Sequence, residues 1–92
     1  MEKKTTDYVA KCGKHSVLVE TEQKQVREEV IGRYKACRKA KKMTQSELAQ
    51  ITGISQPNIT RFESGRYNPS LDMMVRIATA LDMKLDIQLT EK

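Results

Sequence analysis

The chain of 92 residues has no tryptophan, one phenylalanine, one histidine and two cysteines. With three tyrosines beside that phenylalanine and a hydrophobic share of 38%, any core must be aliphatic and thin, so association with a second copy is a natural way to bury more surface. Two cysteines are too few for a disulfide scaffold. Cys12, His15 and Cys37 together fall short of the four ligands of a structural zinc site. A lone histidine and scattered acids do not make a nucleophile with its base, so the chain is not expected to be an enzyme or to need a cofactor. No apolar run approaches the ~20 residues of a membrane span, and the N-terminus lacks the apolar region of a secretory signal. The expected location is therefore cytoplasmic, with reduced thiols. The length fits one small domain, without room for a separate catalytic domain of ordinary size.

What is present is positive charge, unevenly placed. The net charge is +5, and residues 21–43 hold eight Lys or Arg against three Glu, whereas residues 70–92 hold three against four acids. A basic N-terminal half suits phosphate contact, although a solvated helix face would give the same composition.

The most informative stretch is residues 44–65, TQSELAQITGISQPNITRFESG. Thr44 and Glu47 have the spacing of a capping box, in which each side chain accepts a bond from the other's backbone N–H. Leu48, Ala49 and Ile51 are expected on the inner face, with Gln45, Ser46, Glu47 and Gln50 in water. Gly53 follows where a left-handed residue ends a helix. Ser55 supplies a second N-cap, and Pro57 falls in the first turn of the next helix, where a missing N–H does no harm. Ile59 and Phe62 lie three apart on its packing side, and Ser64-Gly65 closes it. The remaining surface carries Gln56, Asn58, Thr60 and Arg61. Amides can bond adenine N6 and N7, and an arginine can bond guanine O6 and N7. An ordinary helical hairpin with an inert polar face is the competing reading.

The order of residues weighs against that reading. The stretch resembles the XRE family, the Cro and phage-repressor type of helix-turn-helix, whose pattern runs T-Q-x-x-L-A, then G-[IV]-S, then I-x-x-x-E-x-G. Thr44, Gln45, Leu48, Ala49, Gly53, Ile54, Ser55, Ile59, Glu63 and Gly65 match it. The resemblance implies a mainly α fold, a lambda-repressor-like bundle of four to five helices over residues 21–83. It implies double-stranded DNA as partner, with Ser55, Gln56, Asn58, Thr60 and Arg61 toward the groove and Gln45, Arg66 and Asn68 on phosphates. It also implies that Arg38 pairs with Glu63, and that Cys37 occupies an apolar position. A bidentate pair satisfies two charges that would each be costly to bury alone.

Around this core, residues 1–15 lack any period and read as a flexible arm, and Ser16 to Glu20, with Val17, Leu18 and Val19, have the composition of a short strand although three consecutive apolar residues do not settle the type; residues 1–20 form one segment outside the DNA-binding domain. A helix is expected from about Glu22 to Ala40 on Val26, Val30, Tyr34 and Cys37, weakened or kinked at Gly32. The loop Arg66-Tyr67-Asn68-Pro69 follows the motif, and Ser70 then caps a helix with a stripe at Leu71, Met74, Ile77, Ala78 and Leu81. Residues 84–92 end the chain, and within them Lys84 to Leu89 alternate strictly, the mark of a strand with one buried face. A lone strand needs a partner. Either a second subunit pairs with it through Leu85, Ile87 and Leu89, the favoured reading, or Val17 to Val19 do.

The leading expectation is a homodimeric transcriptional repressor on a palindromic operator. The short chain, its charged N-terminal extension and its ALDMKLDIQL ending also resemble antitoxins that partner RelE-like toxins, with residues 1–20 folding on the toxin through anchors such as Tyr8, Val9, Val17 and Val19. A stand-alone or prophage regulator without a toxin is the alternative. An adaptor that dimerises and binds no DNA fits less well, since Gln56 and Arg66 are both present.

Overall fold

Residues 20–40 are dominated by glutamate, glutamine, lysine and arginine, straight-chain types that lose little rotamer freedom in a helix. In a computed structural model, which describes the backbone of residues 12–91 and the side chains of residues 18–91, they lie in one long helix, α1 (Cys12–Ala40). Its C-terminus is closed by Lys42 in the left-handed region (φ 57°), with the Met43 N–H returning to the Arg38 carbonyl at 3.1 Å. Three shorter helices follow, α2 (Gln45–Thr52), α3 (Gln56–Glu63) and α4 (Leu71–Ala80). Ser70 caps α4 as expected, its hydroxyl accepting from the Met73 N–H at 3.1 Å.

Helix α2 packs on both α3 and α4, and α1 packs on α3. The core between them is Ile31 and Tyr34, Leu48 and Ala49, Ile59 and Phe62, and Ile77, Ala78 and Leu81. Leu48, Ile59, Phe62, Ile77 and Leu81 are almost wholly buried, each contributing about 1.5–3 kcal/mol relative to exposure. Tyr34 meets the Phe62 ring edge-on at 5.2 Å and donates its hydroxyl to the Met74 carbonyl at 2.8 Å. Burial of that hydroxyl raises its pKa above the usual tyrosine value.

The structure corrects several expectations. Residues 12–20 are helical, not an arm with a strand at Val17 to Val19; residues 1–11 lie outside the described part. Elongating a helix that already exists needs no new nucleation, so α1 runs on. Gly32 sits on an exposed face and does not interrupt it. Val26 is 60% exposed and Ile31 takes its place in the core. In α2, Ile51 is 58% exposed while Thr52 is buried, its hydroxyl donating back to the Leu48 carbonyl at 2.8 Å. Leu71 likewise stays outside.

The largest correction concerns residues 84–89, where no strand forms among the described residues. A strand is stabilised by a ladder with a second strand, and none is present beside this segment among the described residues. Leu85 instead packs against the helical core, while Ile87 is 63% and Leu89 wholly exposed.

Candidate nucleic-acid interface

The start of α2 is fixed by a complete capping box. The Glu47 N–H donates to Thr44 Oγ1 at 3.0 Å and the Thr44 N–H donates to Glu47 Oε1 at 2.8 Å. The backbone bond from Thr44, then its side chain, holds the Glu47 carboxyl below its usual pKa. Gly53 ends the helix at φ 76°, with its N–H on the Ala49 carbonyl at 2.9 Å. Ser55 stands at the N-cap of α3 with extended backbone, but its side chain makes no capping bond, and Pro57 occupies the first turn.

Beneath the turn lies a buried polar relay. Arg38 on α1 donates Nε to Glu63 Oε2 at 2.6 Å and Nη2 to Glu63 Oε1 at 2.9 Å, with only 10% and 3% of the two side chains exposed. The bond to Glu63, the largest influence, keeps the Arg38 pKa above its ordinary value against the opposing effect of burial. Arg38 Nη1 also donates to the Met43 carbonyl at 2.7 Å, which ties the α1–α2 turn to the pair. Gln45 extends the relay: its Nε2 donates to Glu63 Oε1 at 3.1 Å and its Oε1 accepts from the Thr60 hydroxyl at 2.7 Å. No buried polar side-chain atom among the described residues lacks a partner.

With Ile59, Phe62 and Glu63 buried, Gln56, Asn58, Thr60 and Arg61 are all on the open face of α3, and Ser55 is exposed at its start. The four differ in how they are held. Gln56 and Asn58 make no side-chain hydrogen bond recorded among the described residues. The Thr60 proton is engaged on Gln45, so Thr60 presents a methyl group and acceptor lone pairs. The Arg61 guanidinium lies over the Tyr67 ring, 4.9 Å from its centroid, in cation–π geometry. Gln45 is half-buried, and Arg66 and Asn68 are exposed in the loop after α3. Lys35, Lys39, Lys41 and Lys42 stand exposed around the C-terminus of α1 and the turn into α2.

Sequence reasoning did not identify Gln23 and Arg27 as part of this region. Arg27 on α1 donates Nε to the Gly65 carbonyl at 2.8 Å and Nη1 to Asn68 Oδ1 at 2.9 Å, and Gln23 Nε2 also donates to Asn68 Oδ1. Their spacing of four places them on one helix face, the only local signal; a contact across more than forty residues has none.

Two short helices crossing at a glycine turn, with one polar face free and the other locked to a third helix, define a helix-turn-helix unit. Residues 35–88 match the Helix-turn-helix family model, and the chain belongs to that family, of the XRE type that the motif implies. It is similar to an uncharacterised HTH-type transcriptional regulator, YqaE, of Bacillus subtilis, at 40% identity across 56% of this chain and 45% of that protein. It is also similar to the immunity repressor of Bacillus phage phi105, at 40% identity over 58% of this chain and 37% of the repressor. A third relative is the CTXphi transcriptional repressor RstR of Vibrio cholerae, at 39% identity over 53% and 44% respectively. The chain thus spans under half the length of each of these relatives. No solved structure matches it significantly.

Proposed function

We propose that this protein is a sequence-specific DNA-binding transcriptional repressor whose α3 enters the major groove. The observation that carries the proposal is the division of α3: a buried side fixed by Ile59, Phe62 and the Arg38–Glu63 pair, and an open side bearing four groups able to bond base edges. Gln56 and Asn58 offer amides, Arg61 a guanidinium and Thr60 acceptors with a methyl that suits thymine. Ser55 stands at the start of the helix that enters the groove, while Gln45 beside the capped N-terminus of α2, and Arg66 and Asn68 in the loop, hold the backbone. The names of the phage-repressor relatives support repression.

The molecule acts as a homodimer on a palindromic operator, with Ile87 and Leu89, exposed in this chain, and Leu85 beside them as the apolar side chains of the subunit contact. Repression takes place in the cytoplasm and needs no cofactor. Selection of an operator from random duplexes, followed by Gln56→Ala, tests the reading. Binding to the selected site should fall by about 1–3 kcal/mol with one position relaxed, while random DNA is bound as before. Equal loss on both DNAs would remove Gln56 from the base readers, and failure to select any sequence would overturn the proposal.

A second reading, an antitoxin repressing its own operon and held by a RelE-like toxin, is favoured by one observation. The part of α1 that precedes the family segment exposes Leu18 (61%) and Val26 (60%), apolar side chains suited to a protein partner. Co-purification with the product of the adjacent gene, if that gene encodes a small basic ribonuclease, tests it; a monodisperse free dimer beside no such gene favours the stand-alone regulator.

A further inference from the structure

We propose that Gln23 and Arg27, on the part of α1 outside the family segment, are positioning residues that set the polarity of Asn68 so that its amide N–H groups face a DNA phosphate. The inference rests on the DNA-binding reading above.

An asparagine amide has an acceptor at one end and two donors at the other, and either end can face a given direction until neighbours decide. Here the deciding neighbour is an arginine, which has donors only. The Arg27 guanidinium is seated by its Nε on the Gly65 carbonyl, at the end of α3. Its Nη1 then meets Gln23 Oε1 at 2.8 Å and Asn68 Oδ1 at 2.9 Å. Because Gln23 presents its oxygen to Arg27, its nitrogen is the end left to reach Asn68, and it donates to the same Oδ1. Two donors converge on one end of the Asn68 side chain, so that end is the oxygen, and the paired N–H groups are left at the opposite end of an exposed residue. No side-chain acceptor for them is recorded among the described residues.

A phosphate consists of acceptors, and the loop that carries Asn68 also carries exposed Arg66. The clasp therefore presents a donor pair where a free asparagine would present donor or acceptor by turns. It reaches this loop from a helix whose Tyr34 and Arg38 are anchored in the core, which gives the polarity a rigid support.

The test is binding of the full chain to its selected operator and to a random duplex, with Gln23→Leu, Arg27→Lys, Asn68→Ala and the pairwise combinations with Asn68→Ala, alongside thermal melts. Gln23→Leu and Arg27→Lys should each weaken binding roughly two- to tenfold, the worth of one hydrogen bond, on both DNAs and with the melting temperature kept. Neither changes the formal charge of the protein, so the salt slope should stay as in wild type. In the Asn68→Ala background both substitutions should have no further effect. Wild-type binding by Gln23→Leu and Arg27→Lys, or effects that add in full to Asn68→Ala, would overturn the inference and leave the DNA reading standing. A wild-type chain that binds no duplex would overturn both.

Discussion

Glu63→Ala is the substitution whose consequences the structure sets out most fully. Removing the carboxylate leaves the Arg38 guanidinium in a site where only 10% of its side chain is exposed, with its bond to the Met43 carbonyl kept and both bonds to Glu63 lost. Gln45 Nε2 loses its acceptor as well. Breaking a buried pair from one side costs about 3–5 kcal/mol, chiefly because the surviving charge has no partner. In a domain of this size that amounts to a fall in melting temperature of at least ~12 °C. The reverse comparison sharpens the test. Arg38→Met with Glu63→Leu removes both charges, and apolar replacement of a buried pair is often neutral or stabilising, so the double variant should recover most of the loss. Melts in urea followed by circular dichroism give the free energies for the two singles and the double. A cost below about 1 kcal/mol for Glu63→Ala, or a double variant no more stable than the worse single, would refute the view that an uncompensated buried charge is what the pairing prevents.

Three further outcomes are expected. Gly53→Ala meets no steric obstacle nearby yet forces an alanine to φ 76°, so it should destabilise by roughly 1 kcal/mol; a neutral result in the same melts would mean the turn relaxes out of the left-handed region. Arg66→Ala should lower the slope of log affinity against log salt by about one, and an unchanged slope would place Arg66 away from phosphate. Because the bonds from Thr44 hold the folded-state pKa of Glu47 below its unfolded value, the stability they supply is present above the unfolded pKa and is lost as pH falls through the lower folded value. The melting-temperature gap between wild type and Glu47→Gln should therefore be largest near neutral pH and shrink in acid; a gap independent of pH would show that the charge contributes nothing.

The parts of this fold that could be read in the sequence are those whose causes are local. Thr44 with Glu47, Gly53, and Ser70 before its helix each act within one turn of chain, and each is where the spacing predicts. The Arg38–Glu63 pair is not local, and resemblance rather than periodicity pointed to it. Three consecutive apolar residues, Val17 to Val19, carry no period, and their helical state follows from continuity with the chain after them. At the C-terminus, alternation at Leu85, Ile87 and Leu89 identifies a face but not what meets it. In this chain the first of these found the core and the other two met solvent. Gln23 and Arg27 could not be assigned from sequence at all, because the groups they meet, on Gly65 and Asn68, lie far along the chain.

The unequal tethering of the α3 face bears on how this protein could acquire a new target. Gln56 and Asn58 are exposed and their side chains make no hydrogen bond among the described residues, so both positions should tolerate variation in a library, and binders of altered preference should emerge there with folding intact. Thr60 and Arg61 are tied to Gln45 and Tyr67, so a change at either one disturbs a neighbour and calls for a second substitution. Helix α3 is thus modular in its first turn and coupled in its second, and on the proposed reading respecification would proceed from its N-terminal end.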